Sequence, residues 1–167
     1  MAAGSTYTKI ASYTASSSFA DYTFSSIPST YTDLVLIIEG ISFVAANGVS
    51  LRYNGDTGSN YSLTQLGGTG SAAASARRTS QSFININYNG YWTSSSRGSI
   101  IVNIQNYSNT VTKKTCLVRA STAATGVDAI VGLWSNTAAI NSLTIGSDGS
   151  GNLGSTTTIS LYGIAAA

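Results

Sequence analysis

Leu51-Arg-Tyr-Asn-Gly-Asp-Thr-Gly-Ser-Asn-Tyr-Ser62 decides the fold, because it joins one β-type segment to a Gly/Asn/Asp-rich turn and then to another strand. Asn54-Gly55 readily takes the positive φ values of a tight turn, and Asn89-Gly90 and Asp148-Gly149 repeat the signal. Outward from this stretch, one Pro and 17 Gly are set among β-branched and aromatic residues, and no segment sustains an i, i+3, i+4, i+7 apolar stripe. The pattern predicts about ten short strands within 7–13, 18–24, 33–41, 49–53, 61–66, 82–88, 99–105, 112–120, 129–134, 140–145 and 156–164. Turns at this spacing imply an all-β chain, an antiparallel β-sandwich of jelly-roll-like form. Ile27-Pro28, between the second and third segments, rigidifies a corner without costing a ladder hydrogen bond.

Alternation assigns faces. Ile84, Ile86 and Tyr88 share one side of their strand and Phe83, Asn85 and Asn87 the other; Ile100, Val102 and Ile104 likewise oppose Ile101, Asn103 and Gln105. Leu34-Val-Leu-Ile-Ile38 does not alternate, so it is expected to be covered on both sides, within the sandwich or at a subunit contact, with Glu39 marking where the strand emerges. Gly67-Gly-Thr-Gly-Ser-Ala-Ala-Ala-Ser-Ala76 reads as a flexible loop, and residues 1–5 read as an N-terminal arm ahead of a single domain over 6–167.

A chain of 167 residues buries roughly 70% of its unfolded surface and needs no staple. Cys116, the only cysteine, sits in Thr115-Cys-Leu-Val118 as a small apolar core residue, and Trp134, after Ile130, Val131 and Leu133, also reads as core. Charged residues are only 8% of the chain while 43% is hydrophobic, which excludes disorder and leaves a surface of Ser, Thr, Asn, Gly and Tyr. Such a surface has little self-repulsion and suits packing at high local density. A net charge of +2 is too small for nucleic-acid binding; Arg77-Arg78 and Lys113-Lys114 read as solvated loop charges or subunit salt bridges. The N-terminal residues lack a basic region followed by an apolar core, and no apolar run approaches the ~20 residues of a bilayer span, so cytoplasmic synthesis and no membrane partner are expected.

Chemistry-bearing patterns are sparse. With no His, Ser-His-Asp and Cys-His catalysis are impossible within one chain, and zinc has only Cys116 as a thiolate. Paired-carboxylate glycoside hydrolysis would draw on Asp21, Asp33, Glu39, Asp56, Asp128 and Asp148, of which four lie by turn-forming or strand-edge sequence that explains them locally. Asn54-Gly-Asp-Thr-Gly-Ser-Asn60 offers one carboxylate where calcium loops use several, and reads as a hairpin turn; Gly146-Ser-Asp-Gly-Ser-Gly-Asn152 reads as a long hairpin connection. The expectation is therefore no enzyme, no cofactor and no metal. Tyr88, Tyr91 and Trp92 surround the Asn89-Gly90 turn and either cover the end of the sandwich, form a subunit or capsid contact, or stack on a glycan; Arg77 and Arg78 are the other candidate contact residues.

Three phrases in order, Phe24 to Ile38, Leu51 to Ser62 and Ile159-Ser-Leu-Tyr-Gly-Ile164, resemble small tailed-phage virion proteins, found as capsid decoration proteins and as tail-fibre domains. The resemblance covers most of the chain and is a pattern of strands and turns, not a catalytic signature. It implies a β-sandwich, usually trimeric, on the outside of a capsid or carried on a tail. The function expected is therefore a decoration or cement protein on the outer surface of the phage head, with the major capsid protein as partner and a homotrimer as the assembly. The alternative is a short fibre or receptor-binding module that reads a host surface glycan.

Overall fold

The computed structural model describes residues 6–42, 48–87, 97–122, 124–149 and 151–165. The expected fold class is what it shows: among the described residues there is no helix, and twelve strands form antiparallel sheets of eight and four strands. The strands are β1 (Tyr7–Thr14), β2 (Asp21–Phe24), β3 (Asp33–Ile41), β4 (Val49–Tyr53), β5 (Tyr61–Gly68), β6 (Ala73–Gln81), β7 (Ile84–Asn85), β8 (Gly98–Ile104), β9 (Lys114–Thr122), β10 (Gly126–Trp134), β11 (Leu143–Ser147) and β12 (Thr158–Ile164). The large sheet runs β1-β12-β3-β8-β9-β10-β5-β6 and the small one β2-β11-β4-β7. Alternating side chains send one row from each sheet into the shared core: Leu34, Leu36 and Ile38 with Ile100, Val102 and Ile104 from the large sheet, Leu51, Tyr53, Leu143 and Ile145 from the small one.

The Leu51–Ser62 stretch behaves as a turn but not as a hairpin. Asn54 and Gly55 have φ of 53° and 66°, and the Asp56 N–H donates to the Tyr53 carbonyl at 3.0 Å. The strands that it joins, however, lie in different sheets, so the chain crosses from the small sheet to the large one here. The connection after β11, through Asp148-Gly149, is corrected in the same way, since β11 and β12 lie in different sheets.

Other expectations are also revised. Gly67 to Ala76 is not a loop: β5 extends to Gly68, Gly70 turns the chain at φ 86°, and Ala73 opens β6, whose small side chains pair with β5. Arg77 and Arg78 thus lie mid-strand, opposite Thr64 and Leu63, rather than in a loop. Lys114 is not solvated: it is 1% exposed, and its Nζ donates to the carbonyls of Thr112 at 2.7 Å and Thr137 at 3.0 Å. The strand expected over 82–88 shrinks to β7. Ile84 and Ile86 are buried, but so are Asn85 and Asn87, because Asn85 Oδ1 accepts the Asn87 N–H at 3.0 Å and Asn85 Nδ2 donates to Asp148 at 2.5 Å.

Candidate functional site: the outer face of the large sheet

The register of the large sheet fixes which side chains line up on the side away from the small sheet. One row reads Arg77, Thr64, Val131, Leu117, Asn103, Val35, Tyr162, Lys9. The next reads Ser75, Leu66, Ala129, Arg119, Ile101, Ile37, Ser160, Ser12. On β5, β10 and β9 these two rows and the following one, where Val127 stands opposite Gly68 and Ser121, leave large apolar side chains in water: Leu66 is 61% exposed, Val127 55%, Val131 50% and Leu117 46%. Scattered exposed aliphatics are ordinary, but four on three adjacent strands form a patch.

The small sheet supplies the contrast. Its outward row is Thr23, Thr144 and Arg52, with the two threonine hydroxyls 2.9 Å apart and the guanidinium over the Phe83 ring, 5.2 Å from its centroid. That is a solvent face. The exposed aliphatic cluster is thus a feature of the large sheet's outer face.

The apolar patch is also furrowed. Ala129 lies between the larger Leu66 and Arg119 in its row, at the floor of a depression of about 590 Å³ walled by Leu66, Leu117, Val131 and Arg119. Flanking it along β10 are a depression of about 310 Å³ beside Leu133 and Arg77 and one of about 280 Å³ beside Val127 and Gly68. The furrow follows β10 for about six residues, or about 20 Å. Its lining carries two arginines and no carboxylate.

The sequence-predicted candidates distribute as follows. Arg77 stands at one bank of the furrow, whereas Arg78 pairs opposite the buried Leu63 on the other side of the sheet. Tyr88, Tyr91 and Trp92 lie outside the described residues, as do residues 1–5. Leu66, Leu117, Val127, Val131 and Arg119 were not singled out by sequence reasoning. The available signal was the run of apolar residues from Ala129 to Trp134, which fails to alternate in the same way as Leu34 to Ile38.

Three of the six carboxylates, Asp33, Asp56 and Asp148, are spent on structure. Asp56 Oδ1 accepts the Gly58 N–H at 2.8 Å, while Oδ2 accepts Asn60 Nδ2 at 2.9 Å and Trp134 Nε1 at 2.7 Å, so this carboxylate pins the loop that was compared with a calcium site. The indole N–H, ahead of the other donors, holds its pKa below the ordinary value. Asp148 Oδ1 accepts the Gly48 N–H at 2.7 Å, and Asp33 accepts the Asn106 N–H at 2.6 Å. Among the described residues no three His, Cys, Asp or Glu side chains gather as metal ligands would. Cys116 is core as expected; burial pushes its thiol up to about 11.

No family model and no curated protein matches the chain. Among solved structures it is similar to alginate lyase Aly36B, with a TM-score of 0.33 and 11% identity over 92% of this chain and 77% of the other. A mutant of the same lyase in complex with alginate tetrasaccharide matches with a TM-score of 0.29 and 10% identity, over 89% and 73%. The expectation of no enzyme is corrected on this finding, since the structures matched are those of an enzyme. At such TM-scores the likeness carries no argument about a reaction or its residues.

Proposed function

We propose that the chain is a structural protein of a phage virion, a decoration or cement protein on the outer surface of the head, whose partner is the major capsid protein. The observation that supports this reading best is the exposed apolar patch of Leu66, Leu117, Val127 and Val131 on the outer face of the large sheet. Interfaces bury an apolar centre inside a polar rim, and this patch is bordered by Arg77, Thr64, Ser75 and Asn103. A chain with 8% charged residues also approaches neighbours with little repulsion. The mechanism is mechanical: decoration contacts add to those between capsomers, and binding that favours the intact shell stabilises it by mass action. Homotrimerisation is part of the proposal and rests on the resemblance alone. The fibre alternative drew on Tyr88, Tyr91 and Trp92 for glycan stacking, and the furrow has no aromatic side chain in its lining to favour it.

Copies per purified virion, counted by quantitative mass spectrometry against the major capsid protein, test the proposal. A number comparable to the shell protein is expected; one more than tenfold smaller sinks the decoration role. Replacing Leu117 and Val131 by Glu is expected to leave the fold intact and to abolish binding to bare shells, as read by co-sedimentation. Full binding by that variant removes the patch from the mechanism.

A further inference from the structure

We infer that β6 is a docking edge for a second copy of this chain, whose own β6 runs antiparallel to it across a two-fold axis at Ser75 and joins the two large sheets into one. The pairing does not rest on the decoration reading, and where the homotrimer also forms it joins copies of neighbouring trimers.

Among the described strands the sheet edges are β1, β6, β2 and β7. Three of them are blunted as natural edges usually are. β2 has four residues and β7 two, while β1 carries an irregularity between Lys9 and Ala11. β6 has nine residues, none of them buried, and no proline. Its charges, Arg77 and Arg78, lie toward one end and leave Ala73-Ala-Ser-Ala76 plain. Such a run is a template for a further strand. Which main-chain groups face outward follows from the hairpin. The Thr69 N–H donates to the Ala72 carbonyl at 2.9 Å, so these two residues face each other at the head of the β5–β6 ladder. Antiparallel pairs alternate, which turns the N–H and C=O of Ala73, Ser75 and Arg77 away from β5, and those of Ala74, Ala76 and Arg78 toward it. Beyond them the Thr79 carbonyl accepts Gln81 Nε2 at 2.7 Å, and the φ of 54° at Ser80 ends the regular run. The open edge is therefore centred on Ser75.

That pattern fits itself. With Ser75 on the axis, Ala73, Ser75 and Arg77 meet the partner's Arg77, Ser75 and Ala73, and exchange about six hydrogen bonds. A shift of one residue either way sets one of the three against Ser71 in the turn or against Thr79, whose carbonyl is already taken. In the matched register Arg77 and Arg78 stand opposite the partner's Ala73 and Ala72, so no like charges face each other directly. A net charge of +2 per copy adds little repulsion. Ser75 also borders the central depression, so the pairing brings two depressions side by side on one continuous outer face.

Cysteine cross-linking of the full chain tests the register. Cα atoms across a hydrogen-bonded antiparallel pair lie about 5.5 Å apart, within reach of a disulfide, so Ser75→Cys is expected to form a covalent dimer on mild oxidation. Ala73→Cys and Arg77→Cys each place the new thiol about 14 Å from its own copy and are expected to cross-link at least tenfold less, whereas the two changes together restore the bridge. The parent chain, whose Cys116 is buried, is the control. Sedimentation equilibrium is expected to show an even number of copies, halved by Ser75→Pro, which removes one outward N–H and leaves the β5 ladder intact. A monomer or trimer at every concentration, cross-linking of Ala73→Cys equal to that of Ser75→Cys, or an undiminished assembly of folded Ser75→Pro each overturns the inference. If thermal melts show the proline variant unfolded, the cysteine series alone decides.

Discussion

Asp56 shows how much a single side chain can do that its neighbours in sequence do not announce. Read locally it is a turn residue; its decisive partner, Trp134, is 78 residues further on. Asp56→Ala leaves the buried indole N–H without an acceptor, and chemical denaturation is expected to show a loss of about 1–3 kcal/mol. Because the folded carboxyl titrates below its unfolded value, its contribution is present above about pH 4 and is lost as pH falls through the folded pKa. Asp56→Asn is expected to flatten that part of the acid stability profile. Gly132 makes a steric version of the point: a Cβ there would meet Cys116 Sγ and Ile84 Cγ2, both at 2.8 Å, so Gly132→Ala is expected to lower stability by about 1–3 kcal/mol in the same assay. Trp134 and Cys116 were legible as core because apolar neighbours flank them. Lys114 was not, since the carbonyls that receive its ammonium come from two loops that meet only in the fold.

At the scale of elements, β4 and β8, whose apolar residues alternate, and β3, which is a continuous apolar run, could be read nearly to their ends. Legibility failed where period and composition part company. β6 is built of Ala, Ser, Arg, Thr and Gln with no apolar alternation, and it is a strand because β5 offers it a ladder. β7 survives as two residues because Asn85 ties it to Asp148 and to its own next turn, a tertiary polar contact invisible to pattern. Asn85→Ala removes both ties; hydrogen exchange is expected to show the Gly48 and Asn87 amides losing protection ahead of the β3 and β8 amides. Turn dipeptides foretold local backbone conformation at Asn54-Gly55, but whether a turn returns to the same sheet depends on which partner strand is free, which no four-residue window contains.

For the whole molecule, the layered architecture followed from composition and turn spacing, while the two-faced character of the large sheet did not. Its central depression has Ala129 opposite Leu66 and Arg119, which come from distant parts of the chain. The Tyr53, Tyr61 and Trp134 cluster, which ties β4, β5 and β10 together, sets a limit at the alkaline end. Burial raises Tyr53 well above its ordinary value and pushes Tyr61 up to about 12. An unfolded tyrosine ionises near 10, so stability is expected to fall from about pH 10 upward, with the Tyr61 share lost by about 12, as read by urea midpoints together with phenolate absorbance. The order β1-β12-β3 has a consequence for how the protein comes into being. During synthesis β1 and β3 emerge early with an empty slot between them, and β12 is the last of the described strands to leave the ribosome. The seven paired positions on each side of it are made only then, so the sheet is completed after translation of the strand region has ended. Until then the flank of β3 that β12 covers is an open edge, where an incomplete chain can pair with a neighbour.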